Sequence, residues 1–226
     1  MKTTQRKGRA AFTLIELMAV ITIIVILAAL VVGGLGYVTE KRASSQAKVQ
    51  ISLISKALEE YKMDMGQYPL TDDVPTVSSP KGTKTSAASL YEPLFYEGYD
   101  YAEKSKNGTP PDNWTKNVNG VTVPKSTKIY LPDLDPTATK QGWVVPVTGT
   151  NAVPPASIIV TDPWGNQYCY RTAQHYVLNP ATPAAAANDA TINPDFDLWS
   201  MGKDGKSNPS GNSVNDKKIN ADDIKN

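Results

Sequence analysis

The sequence predicts an α+β protein in which a long N-terminal helix carries a small antiparallel sheet. Residues 12–38 form an apolar run, residues 39–66 continue with an amphipathic pattern, and short apolar segments bounded by Pro, Gly and Asn follow. The first two patterns have the period of a helix, and the third is typical of strands. The 226 residues are enough for this helix and one globular domain.

The apolar run is long enough to cross a membrane. From Phe12 to Tyr37 its only charged side chain is Glu16, and 26 residues at about 1.5 Å each exceed a hydrocarbon core of about 30 Å. The basic residues that precede it are Lys2, Arg6, Lys7 and Arg9. This flank predicts that the N-terminus stays in the cytoplasm and that the rest of the chain is exported.

Two general explanations of this segment are a cleaved secretory signal and an uncleaved signal anchor. Secretory cleavage would fall after the apolar core, near residues 28–29 or 33–34, and would leave Glu16 without a role. A signal anchor keeps the segment and places Glu16 near the membrane face, where its carboxylate reaches water. Because a carboxylate in hydrocarbon costs about 2.5–3.5 kcal/mol, Glu16 needs water, a partner or a function.

The third explanation is a resemblance to a known family. Residues 9–18, Arg-Ala-Ala-Phe-Thr-Leu-Ile-Glu-Leu-Met, resemble the leader of type IV prepilins, although Ala11 stands where the family usually has Gly. The resemblance implies that residues 1–11 are a leader, that a prepilin peptidase cleaves between Ala11 and Phe12, and that Phe12 is then N-methylated. It also implies that Glu16 pairs with the N-terminal amine of a neighbouring subunit as a filament assembles.

The amphipathic part should continue the apolar helix without a break, so that Phe12 to about Met65 forms one rod of roughly 80 Å. Its apolar residues recur in steps of four and three and predict one buried stripe. This stripe consists of Ala47, Ile51, Ile54, Leu58, Tyr61 and Met65, and the opposite, polar face of Lys48, Gln50, Ser52, Lys56, Glu59, Glu60 and Lys62. Gly66 and the pair Tyr68-Pro69 predict where the helix ends.

Three glycines, Gly33, Gly34 and Gly36, interrupt the apolar helix near the point where it should leave the membrane. Each costs roughly 1 kcal/mol in a helix interior relative to Ala. The resembling family commonly has Pro at this position. The glycines are therefore interpreted either as a place where the helix loosens on assembly or as a surface for close helix packing.

The rest of the chain is predicted to be a sheet with long connections. Residues 71–125 are assigned to a variable loop with one short helix near 86–96, whose aromatic residues pin it to the domain. These aromatic residues are Tyr91, Phe95, Tyr96, Tyr99 and Tyr101. Residues 126–200 are assigned to the sheet, with strands at 128–131, 143–147, 158–160, 167–171 and 196–200 and loops at 136–156 and 179–194.

Two motifs in this region resemble the major pseudopilins of type II secretion systems. The first is Asp-Pro-Trp-Gly-Asn-Gln-Tyr at residues 162–168, in which Pro presets a turn and Gly or Asn accepts a positive φ. The second is Phe-Asp-Leu-Trp-Ser-Met-Gly-Lys-Asp-Gly-Lys at residues 196–206. The resemblance includes the end of the long helix, covers about residues 12–70, 160–171 and 196–224, and implies a pilin-like fold.

In that family the C-terminal loop, here residues 201–226, binds Ca²⁺. The aspartates of this Gly-, Asn- and Ser-rich segment are Asp204, Asp216, Asp222 and Asp223. Ca²⁺ takes six to eight oxygen ligands, so a cation can order a loop that has few apolar residues. Carried over by position, the ligands are the Met201 carbonyl, Asp204, and Asp222 or Asp223. Any ligand between residues 207 and 220, Asp216 included, is left unassigned. The alternative to a calcium site is that the whole segment is a solvated acidic tail.

Composition argues against nucleic acid as a partner and gives little support for catalysis. Removal of the leader's four basic residues from the 23 Lys and Arg leaves 19 against 22 Asp and Glu, a net charge of −3. Cys169 is the only cysteine, so no internal disulfide can form. A nucleophilic site of Cys169, His175 and Asp162 has no supporting motif. We therefore expect a protein that is not an enzyme.

The combined resemblance implies a structural subunit, the major pseudopilin of a type II secretion pseudopilus. It implies a single pass through the bacterial inner membrane, a periplasmic domain at residues 39–226, and polymerisation into a periplasmic filament that drives export of folded proteins. The implied partners are other copies of the chain, the prepilin peptidase, minor pseudopilins and an inner-membrane assembly platform. The alternative is a type IV pilus subunit for adhesion, motility or DNA uptake, but many of these pilins carry two C-terminal cysteines that this chain lacks.

Overall fold

Helix α1 runs from Leu14 to Met65 and is 52 residues long. The computed structural model describes residues 13–69, 88–118, 121–137, 143–146, 158–172, 193–207 and 224–225. The chain divides into two compact units, Met1–Arg42 and Ala43–Asn226. The predicted α+β, pilin-like class is confirmed, because the long helix is followed by short helices and small antiparallel sheets.

The described part of the first unit is helical and leaves its apolar side chains exposed. Leu14, Ile24 and Val31 are 79%, 58% and 61% exposed. By its length and composition, α1 is long and apolar enough to cross a membrane. The helix continues through Gly36, in agreement with the predicted single rod, and the role of the three glycines in assembly stays a prediction. The backbone hydrogen bonds of a long helix outweigh a cost of about 1 kcal/mol per glycine.

In the second unit, the outer part of α1 buries the predicted stripe. Ala47, Ile51, Ile54, Leu58 and Tyr61 are buried, and Met65 is partly buried against the same core. The helix ends as predicted, since Gly66 has a φ of 77° and its N–H donates to the Lys62 carbonyl. One residue was placed on the wrong face. Gln50 is buried because its Oε1 accepts a 2.6 Å hydrogen bond from the Tyr168 hydroxyl.

A helical segment and a hairpin follow where a loop was predicted. The helical segment consists of α2, a π-helical turn and α3, at Ala88–Tyr91, Glu92–Tyr96 and Glu97–Ser105. The hairpin consists of β1 and β2, at Thr115–Val118 and Val121–Pro124. The assignment of residues 71–125 to a loop with one short helix is therefore wrong at Glu97–Ser105, Thr115–Val118 and Val121–Pro124. The short helix predicted near 86–96 is confirmed and continues to Ser105.

Contacts with residues distant in sequence explain why this segment is helical although its Pro and Gly are typical of a loop. Pro93 has no N–H to give to an α-helix, and it lies in the π-helical turn. The Leu94 carbonyl accepts hydrogen bonds from the N–H groups of Tyr130 and Leu131, at 2.9 and 3.0 Å. A Cβ on Gly98 would overlap the backbone that follows β2. Pro and Gly therefore permit close packing here and do not end the helix.

The remaining strands form two further antiparallel sheets. Strand β3 (Val144–Pro146) pairs with β4 (Ile158–Val160). In the other sheet, β6 (Phe196–Ser200) lies between β5 (Cys169–Thr172) and β7 (Ile224–Lys225). The predicted strands at 143–147, 158–160, 167–171 and 196–200 are confirmed in these elements. The strand predicted at 128–131 is wrong, because its amides turn towards the helical segment. Strand β7 was not predicted.

The aromatic cluster packs as expected. Tyr91 and Phe95 are buried in the core, with ring centroids 5.6 Å apart, and Tyr99 stacks on Phe95 at 5.8 Å. Tyr101 meets Trp114 edge-to-face at 5.5 Å, just before β1. Aromatic pairs of this kind add about 0.5–1.5 kcal/mol beyond burial. The cluster therefore fixes the helical segment within the second unit.

A buried ion pair also holds this segment. Glu97, at the start of α3, is fully buried, and its Oε1 lies 2.6 Å from Nζ of Lys116 on β1. The Ser126 N–H donates to its Oε2 at 2.6 Å. Burial raises the pKa of the Glu97 carboxyl, and Lys116 and Ser126 act in the opposite direction. The helical segment and the hairpin are therefore coupled through Lys116, whose Nζ also lies 3.8 Å from Oε1 of Glu92.

Candidate functional site

The start of α1 is a capping box. Thr13 precedes the first helical residue, and its N–H and hydroxyl donate to Oε2 of Glu16 at 2.9 and 2.8 Å. The Glu16 N–H donates back to the Thr13 hydroxyl at 3.3 Å. This reciprocal arrangement satisfies donors that a helix N-terminus leaves unpaired. The Thr-x-x-Glu spacing is the sequence signal for this box, although Glu16 was predicted to pair only with a neighbouring subunit.

The capping box gives Glu16 a partner within its own chain. The surrounding side chains are apolar and exposed, with Ile15 at 75% and Leu17 at 56%. A carboxylate in this position needs hydrogen bonds, and those from Thr13 supply them locally. A carboxylate also accepts more than the two hydrogen bonds that Thr13 donates. The cap therefore does not preclude a further contact to an amine.

Ala11 and Phe12, the residues of the predicted cleavage site, lie outside the described residues.

The first of the two pseudopilin-like motifs forms a turn organised by Asp162. Oδ1 of Asp162 accepts hydrogen bonds from the N–H groups of Trp164 and Asn166, at 3.1 and 2.8 Å. Gly165 has a φ of 82°, and its N–H donates to the Asp162 carbonyl. This geometry agrees with the turn that Pro163 and Gly165 predict. The turn leads through Gln167 into β5.

The second motif, at the end of β6, is joined to this turn. The Ser200 hydroxyl donates to Oδ2 of Asp162 at 2.6 Å and accepts from the Gly202 N–H at 3.0 Å. Nδ2 of Asn166 donates to the Gly202 carbonyl at 2.5 Å. All three side chains are buried. The two motifs therefore form a single hydrogen-bonded unit. The sequence predicted each motif separately but not the contact between them.

The loop that follows, residues 201–207, contains the described part of the expected calcium site. The Asp204 side chain is exposed, and its Oδ1 accepts a 2.8 Å hydrogen bond from the Lys206 N–H. Gly202 and Gly205 have φ values of 62° and 67° and allow the tight path of the backbone. The Met201 carbonyl and the Asp204 carboxylate are oxygen donors of the kind that Ca²⁺ takes.

These donors fit calcium in chemistry but would supply only a part of its coordination. The described residues contain no group of three or more His, Cys, Asp or Glu side chains that could hold a metal. Asp222 and Asp223, the other expected ligands, lie outside the described residues. Calcium binding therefore stays a prediction.

The alternative nucleophilic site has little geometric support. Cys169 is 1% exposed and packs with Trp199 and Met201. Asp162 is engaged by the turn and by Ser200. His175 lies outside the described residues. A buried thiol of this kind is a packing group and has no access to a dissolved substrate.

Comparison with known proteins identifies two family matches. The family described as Prokaryotic N-terminal methylation motif matches residues 6–32. The family described as Type II secretion system (T2SS), protein G matches residues 36–119. The first match contains the predicted cleavage site and the capping box, and the second contains the outer part of α1, the helical segment and β1.

Curated relatives extend this similarity to nearly the whole chain. The type II secretion system core protein G of Pseudomonas aeruginosa is 30% identical over 209 residues, which is 92% of this chain and 93% of the relative. Proteins of the same name from Aeromonas hydrophila and Klebsiella michiganensis are 41% and 38% identical over 68 residues, 30% of this chain and 48% of each relative. No solved structure matches this chain. The chain therefore belongs to the type II secretion system core protein G family, the major pseudopilins.

Proposed function

We propose that this protein is the main building block of a short periplasmic filament that drives export of folded proteins across the outer membrane. The observation that carries the proposal is the exposed apolar surface of α1 in the first unit, with one carboxylate at its start. Lipid must cover such a surface before assembly, and neighbouring helices must cover it in a filament. Membership of the core protein G family supports the same role.

The proposed life of the chain begins in the inner membrane. The basic flank keeps the N-terminus in the cytoplasm, and residues 39–226 are exported to the periplasm. A prepilin peptidase cuts between Ala11 and Phe12 and N-methylates Phe12. An assembly platform then extracts the chain from the membrane and adds it to other copies, with minor pseudopilins as further partners. Nucleic acid has no role in this scheme.

Glu16 is proposed to guide assembly. Cleavage before Phe12 creates an amine one helical turn before the carboxylate, and the amine of one copy pairs with Glu16 of the next. Until then the bonds from Thr13 satisfy the carboxylate. Opposite charges attract strongly where water is scarce, so the pairing favours the correct register of the apolar helices.

The N-terminus of the native protein tests this scheme first. We expect mass spectrometry of the protein purified from membranes to find a chain that begins at Phe12 with a methylated amine. A chain that retains its basic leader, or that begins after Gly34, would contradict cleavage at this site. Such a chain would instead indicate a signal anchor or a secretory signal.

Two substitutions at Glu16 separate its charge from its cap. Glu16→Gln keeps the acceptor that a capping box requires but removes the negative charge. Glu16→Ala removes both. Both variants should insert and be processed, and both should yield few filaments when assembly is quantified by shearing and electron microscopy. Normal filament yield from Glu16→Gln would show that the charge is not used.

A secretion assay tests the biological role. A strain without this chain should accumulate folded exoproteins in the periplasm, and the wild-type chain should restore their release to the medium. Motility, adhesion and DNA uptake are measured in the same strain. Loss of those activities with export intact would indicate a pilus subunit instead.

Calcium is proposed to order the C-terminal loop through the Met201 carbonyl, Asp204, and Asp222 or Asp223. When bound, the cation would neutralise the carboxylates and hold a segment that has few apolar residues. Chelation should lower the melting temperature of the wild-type protein. Asp204→Ala should lower it in the presence of CaCl₂ and remove most of the response to chelator. A melting temperature that chelation does not change would refute calcium binding.

A further inference from the structure

The hydrogen bonds between the turn and the loop converge on one residue, Gly202. Its N–H donates to the Ser200 hydroxyl and its carbonyl accepts from Nδ2 of Asn166. Both residues are in turn tied to Asp162, Ser200 through its side-chain hydroxyl and Asn166 through its backbone N–H. The backbone of a residue with a φ of 62° is therefore held on both of its polar groups.

Asn166 also contacts the far side of the same loop. A Cβ placed on Gly205 would lie 2.9 Å from Oδ1 of Asn166, so the backbone at Gly205 passes directly over this amide. Gly202 and Gly205 flank Asp204, and Met201 precedes them. One buried amide thus lies against the backbone on both sides of Asp204, directly after Met201.

The network fixes the backbone of the loop through side chains that are buried. Asp162, Asn166 and Ser200 are 3%, 5% and 0% exposed, whereas the Asp204 side chain is exposed. The carboxylate of Asp162 is occupied by the turn and by Ser200, and the Asn166 amide is directed at Gly202. These groups therefore orient the loop without using the carboxylate that a cation would need.

We propose that Asn166, with Asp162 and Ser200, is a positioning unit that sets the cation affinity of the Met201–Asp204 loop. This inference rests on the proposed calcium binding. Cation affinity depends on how closely the oxygen donors are held in place before binding, because ordering them costs free energy. Loss of a partner that orients a ligand typically weakens metal binding 10–100-fold.

The test compares calcium affinity with stability in full-length protein in detergent. Asn166→Ala removes the contact to Gly202, and Ser200→Ala removes the bonds to Asp162 and Gly202. The matched control is Tyr168→Phe, which deletes one buried hydrogen bond, to Gln50 on α1. CaCl₂ is titrated by calorimetry, with MgCl₂ as a competing ion, and melting temperatures are recorded in EDTA.

Asn166→Ala and Ser200→Ala should each raise the calcium dissociation constant at least about tenfold. Tyr168→Phe should lower the melting temperature in EDTA and leave the dissociation constant unchanged. Wild-type affinity in both loop variants, or an equal loss of affinity in Tyr168→Phe, would overturn the inference alone. Absence of calcium binding by the wild-type protein would overturn the proposed calcium site as well.

Discussion

The two units of this chain are stabilised in different ways. In the first unit, the side chains of Thr13, Thr22 and Thr39 form hydrogen bonds across three or four residues. In the second unit, Ser200 reaches Asp162 across 38 residues, and Tyr168 reaches Gln50 across 118. The first unit therefore depends on its own helix, and the second depends on contacts that only the fold creates.

The apolar residues show the same contrast. Ile24 and Ile54 lie on one helix, but Ile24 is 58% exposed and Ile54 is fully buried. The same side chain thus stabilises the fold at one position and offers its surface to lipid or another helix at the other. Substitutions in the first unit should affect membrane insertion and assembly, whereas substitutions in the second should affect folding.

The largest effect should come from the buried ion pair of the second unit. Lys116→Met removes the cation whose Nζ lies 2.6 Å from Oε1 of the fully buried Glu97. The other charged group near this Nζ, Glu92 at 3.8 Å, is also an acid and cannot compensate Glu97. An uncompensated buried charge costs about 3–5 kcal/mol, so the free energy of unfolding at pH 7 should fall by about that amount. Urea unfolding measures it. The double variant Lys116→Met/Glu97→Gln should recover most of the loss, and failure to do so would show that the lysine acts by packing.

The same pair predicts a pH dependence with a definite sign. Burial raises the pKa of Glu97 above its unfolded value, so the folded protein holds this proton more tightly. Its contribution to stability is therefore greatest below the unfolded value of about 4.3 and is lost as pH rises through the folded pKa. Lys116→Met raises this pKa further. The destabilisation by Lys116→Met should therefore shrink as the pH is lowered, and a loss that grows at acid pH would contradict this assignment.

The two isoleucines give the next largest effect. Ile54→Ala should reduce the free energy of unfolding by about 2–5 kcal/mol, because it leaves a cavity in the core. Ile24→Ala is the matched control and should leave unfolding of the second unit unchanged. Tryptophan fluorescence is a selective probe, since all four tryptophans lie between Trp114 and Trp199. Similar losses in the two variants would contradict the separation of the units.

Two glycines should show small effects of opposite sign. Gly66 has a φ of 77°, so Gly66→Ala should reduce the free energy of unfolding by about 1 kcal/mol. Gly36 lies within the helix with no atom near its would-be Cβ, so Gly36→Ala should stabilise the helix locally by about 0.5–1 kcal/mol. Hydrogen exchange of the amides next to each position measures both. A loss of protection around Gly36 would indicate that its flexibility is built into the helix for another reason.

Much of the fold could be predicted because its signals are local. The stripe from Ala47 to Tyr61, the helix end at Gly66 and the strand at residues 196–200 follow from periodicity and turn chemistry. The helical segment at Ala88–Ser105 could be predicted only in part. Its Pro93 and Gly98 are typical of loops, and only the contacts of Leu94 with Tyr130 and Leu131 show why a helix tolerates them.

The candidate site divides in the same manner. Thr13 and Glu16 lie three residues apart, so their spacing alone could have predicted the capping box. The junction of Asp162, Asn166 and Ser200 could not have been predicted, because no sequence rule pairs Asn166 with Gly202 or Asp162 with Ser200, 36 and 38 residues apart. Ser200 and Asp162 meet because β6 pairs with β5.

The sequence by itself determined the apolar N-terminal segment, its single carboxylate, the basic flank and the family. These properties depend on the order and character of neighbouring residues, and they need no fold to exist. The tertiary structure decided which polar groups are buried. Gln50, Glu97 and Asn166 are polar residues that water would ordinarily keep at the surface, and each is buried where a distant part of the chain supplies its hydrogen-bond partner.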